Sequence, residues 1–233
     1  MKLYLIPTPL ADNTANIVLP LQVPDSVKEL DVFFAEELRT ARRFISSLKV
    51  GKVIESLTFY ELHKKTPEAE TLTQLKTLLK EGKNAGVLSE AGCPGVADPG
   101  AVAVKLAHQL GIEVVPLVGP SSLLLALMAS GMSGQSFVFH GYLPIDRPQR
   151  VKAIKNLEKE ALNRHQTQLF IETPYRNNQV FEDILIHCQP TTRLCISCQL
   201  TAPDGFVKTH TLKDWKTKTL DLHKKPTVFL LGE

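Results

Sequence analysis

The stretch from Ala85 to Gly100, AGVLSEAGCPGVADPG, reads as a short apolar strand that runs directly into a loop of three glycines and two prolines. An apolar run without alternation suits a strand covered on both faces, as in a parallel sheet. Glycine and proline at its end let the backbone approach a ligand with no Cβ in the way. Ligands of open parallel sheets bind at the carboxyl ends of the strands, where this loop falls. Asp98 is placed to cap the following helix, with Pro99 at its first position.

The same grammar returns at VVPLVGPSS, Val114 to Ser122, where Gly119 and Pro120 turn the chain and Ser121 or Ser122 caps an apolar helix. Upstream, short β-branched or apolar runs alternate with helical stretches: LYLI, a Pro-broken segment to Leu30, DVFFAE, LRTARRFISSL, SLTFYE, and a helical stretch from Glu68 to Glu81. That alternation predicts a mostly parallel sheet with helices on both faces. After about residue 116 the pattern changes. An apolar helix (Ser122 to Ser130), a strand (Ser136 to His140), a basic helix (Arg147 to Ala161), a strand (Thr167 to Glu172) and a helix after Pro174 precede three strand-like runs, Thr192 to Leu200, Phe206 to Leu212 and Thr227 to Leu231. Consecutive strands imply antiparallel pairing. The expectation is therefore an α/β protein of two domains, residues 1–115 with a mostly parallel sheet and residues 116–233 with a mixed α+β sheet.

A chain of 233 residues with 43% hydrophobic content can bury a substantial core, which argues against disorder. Its net charge of +3 is unevenly placed: residues 1–115 hold 13 Lys and Arg against 14 Asp and Glu, and residues 116–233 hold 14 against 10, leaving −1 and +4. Two basic stretches, Arg147 to Arg164 and Lys208 to Lys225, are suited either to phosphates or to a solvated face. The charge-free run from Val114 to Met132 is about as long as a membrane span, but Pro116, Gly119 and Pro120 interrupt it, so a strand, a loop and a helix are expected there instead. Four cysteines without a secretory leader point to a reducing, cytoplasmic setting.

Neither Gly-Pro loop has the spacing GxGxxG or GxxxxGK[ST], which sets aside dinucleotide and P-loop readings and leaves a nucleoside-sized polar ligand. Cys195 and Cys198 lie three apart in an expected strand and so face opposite sides, and the histidines show no ligand spacing; no metal site is expected.

Six segments in order, LIPTPL, FFAEELRTARRFI, SEAGCPGVADPG, VVPLVGPSS with LLLALMASG, FVFHGYLP followed by Arg147 and Arg150, and IETPYR, resemble the tetrapyrrole (corrin/porphyrin) methylase class. Within that class they are most similar to the ribosomal RNA small subunit methyltransferase I branch. The resemblance covers nearly the whole chain. It implies a methyltransferase that uses S-adenosylmethionine, held in a cleft between two α/β domains, acting as a homodimer on a ribose 2′-hydroxyl of small-subunit rRNA. The class also contains methylases of small molecules such as tetrapyrroles, and a non-catalytic paralogue that only binds cofactor is a further alternative. By the same resemblance Ser89, Glu90, Ala91, Gly92 and Pro94, with Gly119, Pro120, Ser121 and Ser122, line the cofactor pocket, and Pro7, Thr8 and Pro9 form its floor.

Methyl transfer from a sulfonium is an in-line displacement that rests mainly on alignment, with a general base to assist a weakly nucleophilic hydroxyl. Glu36, Glu37 and Glu90 are the candidate proton acceptors, the first two serving equally well to favour a helix dipole. Arg39 and Arg42 share a helix face suited to a phosphate backbone or to solvent pairing, and Arg39 adjoins the matched Ala-Glu motif. Arg147, Arg150 and Arg176 are candidate RNA contacts, and His140 either touches substrate or is a hydrogen-bonded structural residue.

The chain departs from the family pattern at Ala11 and Asp12, where glycine and asparagine are usual, at Leu38, which replaces a threonine, and at Glu90 and Cys93, which replace aspartate and threonine. Ala202, Pro203 and Asp204 stand where a lysine leading to acidic residues is usual.

Overall fold

The computed structural model describes residues 1–63 and 65–233. The chain divides into two units, Met1–Ser121 and Ser122–Glu233. The first runs β1 (Lys2–Ile6), α1 (Ala15–Val18), α2 (Gln22–Lys28), β2 (Val32–Ala35), α3 (Leu38–Ser47), β3 (Thr58–Glu61), α4 (Glu68–Lys80), β4 (Ala85–Leu88), α5 (Gly100–Gln109) and β5 (Glu113–Pro116). Its five strands form one parallel sheet in the order β3-β2-β4-β1-β5. β2 and β4, buried at every residue, are the VFFA and AGVL runs. Pro116 is tolerated because β5 is an edge strand.

Strand order also fixes where the helices go. The chain steps from β1 past one position to β2 and on to β3, then returns to fill the gap with β4 before crossing to β5. Right-handed crossovers made in opposite directions place their helices on opposite faces. One apolar cluster accordingly gathers Val23, Val27, Ala41, Phe44 and Ile45 from α2 and α3. The other gathers Leu75, Leu78, Ala103, Leu106 and Ala107 from α4 and α5. The connections after β1 and β2 thus leave to one face and that after β4 to the other, which opens a crevice at the strands' carboxyl ends.

The Pro-broken segment before Leu30 contains two short helices. Pro24 does not prevent the second, because it sits in the first turn of α2, where a backbone N–H has no intrahelical partner.

The second unit runs α6 (Ser122–Ser130), β6 (Phe137–Tyr142), α7 (Arg147–Arg164), β7 (Thr167–Ile171), α8 (Asn177–His187), β8 (Arg193–Cys198), β9 (Phe206–Thr211), α9 (Leu212–Trp215) and β10 (Thr227–Gly232). The sheet order is β6-β7-β10-β8-β9. β6 and β7 are parallel, and the remaining neighbours are antiparallel. The last strand therefore fills the centre of the sheet, with Phe229 opposite Phe170 and the two rings stacked at 5.5 Å.

α7 and α8 pack on one face with Ile154, Leu157, Val180 and Ile184, while Ala126 and Leu127 of α6 pack on the other. Cys198 belongs to the first cluster and Cys195 to the second, so the two thiols do face opposite sides of β8. Burial raises the pKa of both. α7 starts on Asp146, whose carboxylate accepts from the Gln149 N–H at 3.1 Å, and buries the stripe Arg150, Ile154, Leu157, Glu158 and Ala161. Lys152, Lys155 and Lys159 lie on its exposed face. No helix among the described residues is long and apolar enough to cross a membrane.

Candidate functional site

The crevice of the first unit holds a cavity of about 650 Å³. Three connections wall it: Thr8 to Asn13 after β1, Glu36 and Glu37 after β2, and Ser89 to Ala91 after β4. α3 supplies a fourth wall through Thr40, Arg43, Phe44 and Ser47, which recur at three- and four-residue spacing on one helical face. The volume lies within the range of small-molecule sites.

The loops are tied to each other by the backbone. Thr8 N–H donates to Gly92 O at 2.9 Å and Gly92 N–H to Thr8 O at 3.1 Å, while the Thr8 hydroxyl reaches Ser89 O at 3.2 Å. The loop after β5 joins them through the Cys93 thiol, which donates to Pro120 O at 3.4 Å. Two glycines permit this. Gly92 has φ +79, a left-handed conformation that favours glycine, and a Cβ on Gly119 would stand 2.2 Å from Pro7 Cγ. Asp98 does its capping from one place earlier than expected: Pro99 precedes the helix, and the Asp98 carboxylate accepts from both Gly95 N–H at 2.5 Å and Gly100 N–H at 2.8 Å.

Of the residues anticipated at the cofactor pocket, Thr8, Pro9, Ser89, Glu90 and Ala91 line the cavity, and so does Glu36. Pro7, Gly92, Pro94, Gly119 and Pro120 lie in the packed layer that holds those loops together. Ser121 ends the first unit and Ser122 begins α6 in the second.

The charged residues separate clearly. Among the described residues Asp12, Glu36, Glu37 and Glu90 line the cavity against Arg43 and Lys49, so its field favours a cation. Burial holds the Glu90 carboxyl above its usual range, and the neighbouring Glu36 and Glu37 charges raise it further. Glu37 is also the cap of α3, its carboxylate accepting from Arg39 N–H at 3.0 Å. Arg39 and Arg42 are exposed and do not line the cavity; the Arg42 guanidinium lies 5.0 Å from the centre of the Phe59 ring. The cation of this helix that does line it is Arg43, which sequence reasoning passed over. The signal that would have found it is the three- and four-residue spacing of Thr40, Arg43 and Ser47 on one face of α3.

In the second unit the anticipated contacts differ in burial. Arg150 is 3% exposed, its guanidinium bonded to the Asp183 carboxylate at 2.9 Å and to Ile145 O at 2.9 Å. Arg147 shares Asp183 at 2.9 Å but keeps 61% of its side chain exposed. Arg176 is bonded to the buried Glu172 carboxylate at 2.5 Å. His140 is exposed within β6, which continues to Tyr142, with Nε2 2.7 Å from Gln168 Oε1. Among the described residues no group of three or more His, Cys, Asp or Glu is arranged to hold a metal ion.

Comparison with known proteins matches this arrangement to one family. The model of the tetrapyrrole (corrin/porphyrin) methylases matches residues 2–215. Among curated relatives, proteins named ribosomal RNA small subunit methyltransferase I are 31% identical over 234 residues in Escherichia coli O157:H7, covering 99% of this chain and 71% of that protein. In Thermotoga maritima the figures are 32% over 184 residues, 79% of this chain and 77% of the relative. In Bacillus subtilis they are 34% over 177 residues and 75% of this chain, and the match spans 55% of that relative's length. Two solved structures share the fold: the methyltransferase CobJ (TM-score 0.66, 18% identity, 100% of this chain and 94% of that one) and the native form of uroporphyrin III C-methyl transferase from Thermus thermophilus (0.61, 16%, 100% and 98%). The chain belongs to the tetrapyrrole (corrin/porphyrin) methylases.

Proposed function

We propose that this protein transfers a methyl group from S-adenosylmethionine to a ribose 2′-hydroxyl of small-subunit ribosomal RNA. The observation that carries the reading is a strand-end cavity lined by four carboxylates, in a chain whose family and curated relatives are methyltransferases. The residues present suit the cofactor. The acidic lining favours a sulfonium cation, Ala35, Ala41, Phe44 and Leu88 offer an apolar wall to a nucleobase, and the Gly-Pro loops offer backbone contact in place of a phosphate nest. The sites proposed for it are Thr8, Pro9, Ser89, Glu90 and Ala91, supported by Pro7, Gly92, Pro94, Gly119, Pro120 and the serines 121 and 122.

When bound, the cofactor supplies an electrophilic methyl carbon on a sulfonium. The protein's own task is to orient the acceptor hydroxyl and remove its proton. Glu90 is the proposed proton acceptor: it lines the cavity as a carboxylate of raised basicity, whereas the Glu37 carboxylate is engaged in capping α3. Glu36 stands beside it and keeps that basicity high. Arg147 and His140, both exposed, are proposed to meet RNA. The reading carries with it a homodimer in the cytoplasm.

Calorimetric titration with S-adenosylmethionine, followed by methyl incorporation into small ribosomal subunits lacking 2′-O-methylation, tests it. Heat of binding and incorporation into RNA are expected. Absence of any binding heat excludes the enzyme reading, and binding with transfer only to a small molecule excludes the RNA one.

A further inference from the structure

Four carboxylates gather where the strand ends meet α3, and a phosphodiester cannot approach such a field without a compensating cation. Among the described residues two cations line the cavity, and both lie away from that end. Arg43 is about 9 Å along the helix axis from Glu37, at 1.5 Å per residue, and Lys49 follows just after the helix ends. Among the described residues neither Arg43 nor Lys49 has an ion pair or a side-chain hydrogen bond, in contrast to Arg150, which is paired with Asp183, and Arg176, which is paired with Glu172. Arg39 and Arg42, on the same helix, do not line the cavity.

We infer that Arg43 and Lys49 form the phosphate anchor of the acceptor nucleotide, holding the phosphodiester beside the ribose whose hydroxyl is presented to Glu90. The inference rests on the proposed RNA methylation and adds to it a polarity of the site: ribose at the acidic end, phosphate at the basic end. It also assigns the positioning role to residues other than the helix arginines nearest the Ala-Glu motif. Arg43 offers a planar fork that meets two phosphate oxygens at once, and Lys49 a point charge.

Lys49 provides an unusual control, because it closes α3 in the left-handed conformation, with φ 53. Glycine is favoured there, so Lys49→Gly removes the charge while relieving the backbone. A residue retained for structure loses stability when replaced; here the melting temperature is expected to hold or rise while RNA binding weakens.

The experiment measures KM and kcat for methyl transfer to small ribosomal subunits lacking 2′-O-methylation, equilibrium binding of the same subunits against salt, and calorimetric binding of S-adenosylmethionine alone. The variants are Arg43→Ala, Arg43→Lys and Lys49→Gly, with Lys76→Ala on α4, across the sheet, as a charge-matched control. Arg43→Ala and Lys49→Gly are expected to raise KM about tenfold each. Each is also expected to flatten the salt dependence of binding by about one unit of slope, with cofactor affinity unchanged. Arg43→Lys is expected to recover part of the loss. Wild-type KM and slope in the alanine and glycine variants, an equal effect from Lys76→Ala, or loss of cofactor affinity would each overturn the inference; the last would assign the two cations to the cofactor's carboxylate. Transfer by the unaltered protein reports on the proposed function itself, and the variant-to-wild-type ratio reports on the anchor.

Discussion

Gly119→Ala isolates the packing that holds the loops around the cavity. The glycine has no positive φ, so the added methyl tests contact alone. The new Cβ would lie 2.2 Å from Pro7 Cγ and 2.3 Å from Pro7 Cβ, more than an ångström inside the ~3.5 Å at which carbon atoms pack. The proline ring cannot rotate out of the way, so one of the two chain segments must move by about 1 Å. Overpacking of that kind costs about 1–3 kcal/mol. The movement does not stay local, because Pro7 leads into Thr8, which is hydrogen-bonded to Gly92 in both directions and to Ser89. Misplacing site groups by that amount lowers turnover by about 10²-fold. Urea unfolding gives the stability change and calorimetry with S-adenosylmethionine gives the site change, with exposed Val118→Ala as the neighbouring control. A Gly119→Ala variant with the wild-type unfolding midpoint and wild-type cofactor affinity would refute the loop architecture argued above.

Asp183→Ala leaves the buried Arg150 without its carboxylate and is expected to cost about 3–5 kcal/mol in denaturant unfolding. Arg147→Ala, which removes the exposed partner of the same carboxylate, is expected to cost at most about 1 kcal/mol. For pH, the active form of Glu90 is the carboxylate and its pKa is raised, so methyl transfer should be present above that pKa and lost as pH falls through it, at a pH above the ordinary carboxylate range. Glu36→Gln removes a like charge and should move this acid limb to lower pH, while Glu90→Gln should abolish it; a limb that ignores both substitutions assigns the proton to another group. Because ionising a carboxyl of raised pKa disfavours the fold, Glu90→Gln should melt no lower than wild type at neutral pH. Arg42→Ala should cost about 0.5–1 kcal/mol through loss of its contact with Phe59, measured by the same unfolding experiment, and leave RNA binding unchanged.

The sheet of the first unit was legible because its central strands are covered on both faces and so read as unbroken apolar runs, VFFA and AGVL. The strand-end loops were legible because glycine is what permits the Thr8–Gly92 and Pro7–Gly119 approaches. The two short helices before Leu30 were not, because Pro24 reads as a breaker unless its place in the first turn is known. Arg150 was equally hidden: its burial depends on Asp183, thirty-three residues away on α8, and nothing in RPQR distinguishes it from exposed Arg147. The three arginines of α3 look alike in sequence, and only the position of the cavity separates Arg43 from Arg39 and Arg42.

The central claim is that this cavity serves methyl transfer to a ribose of small-subunit rRNA. Incubating the full chain with methyl-labelled S-adenosylmethionine and small ribosomal subunits lacking 2′-O-methylation, then digesting the RNA and identifying the labelled nucleoside by mass spectrometry, tests it most directly. The account predicts label on a ribose oxygen, lost in Glu90→Gln. Label on a nucleobase, or no label in RNA from a protein that binds the cofactor, would contradict it.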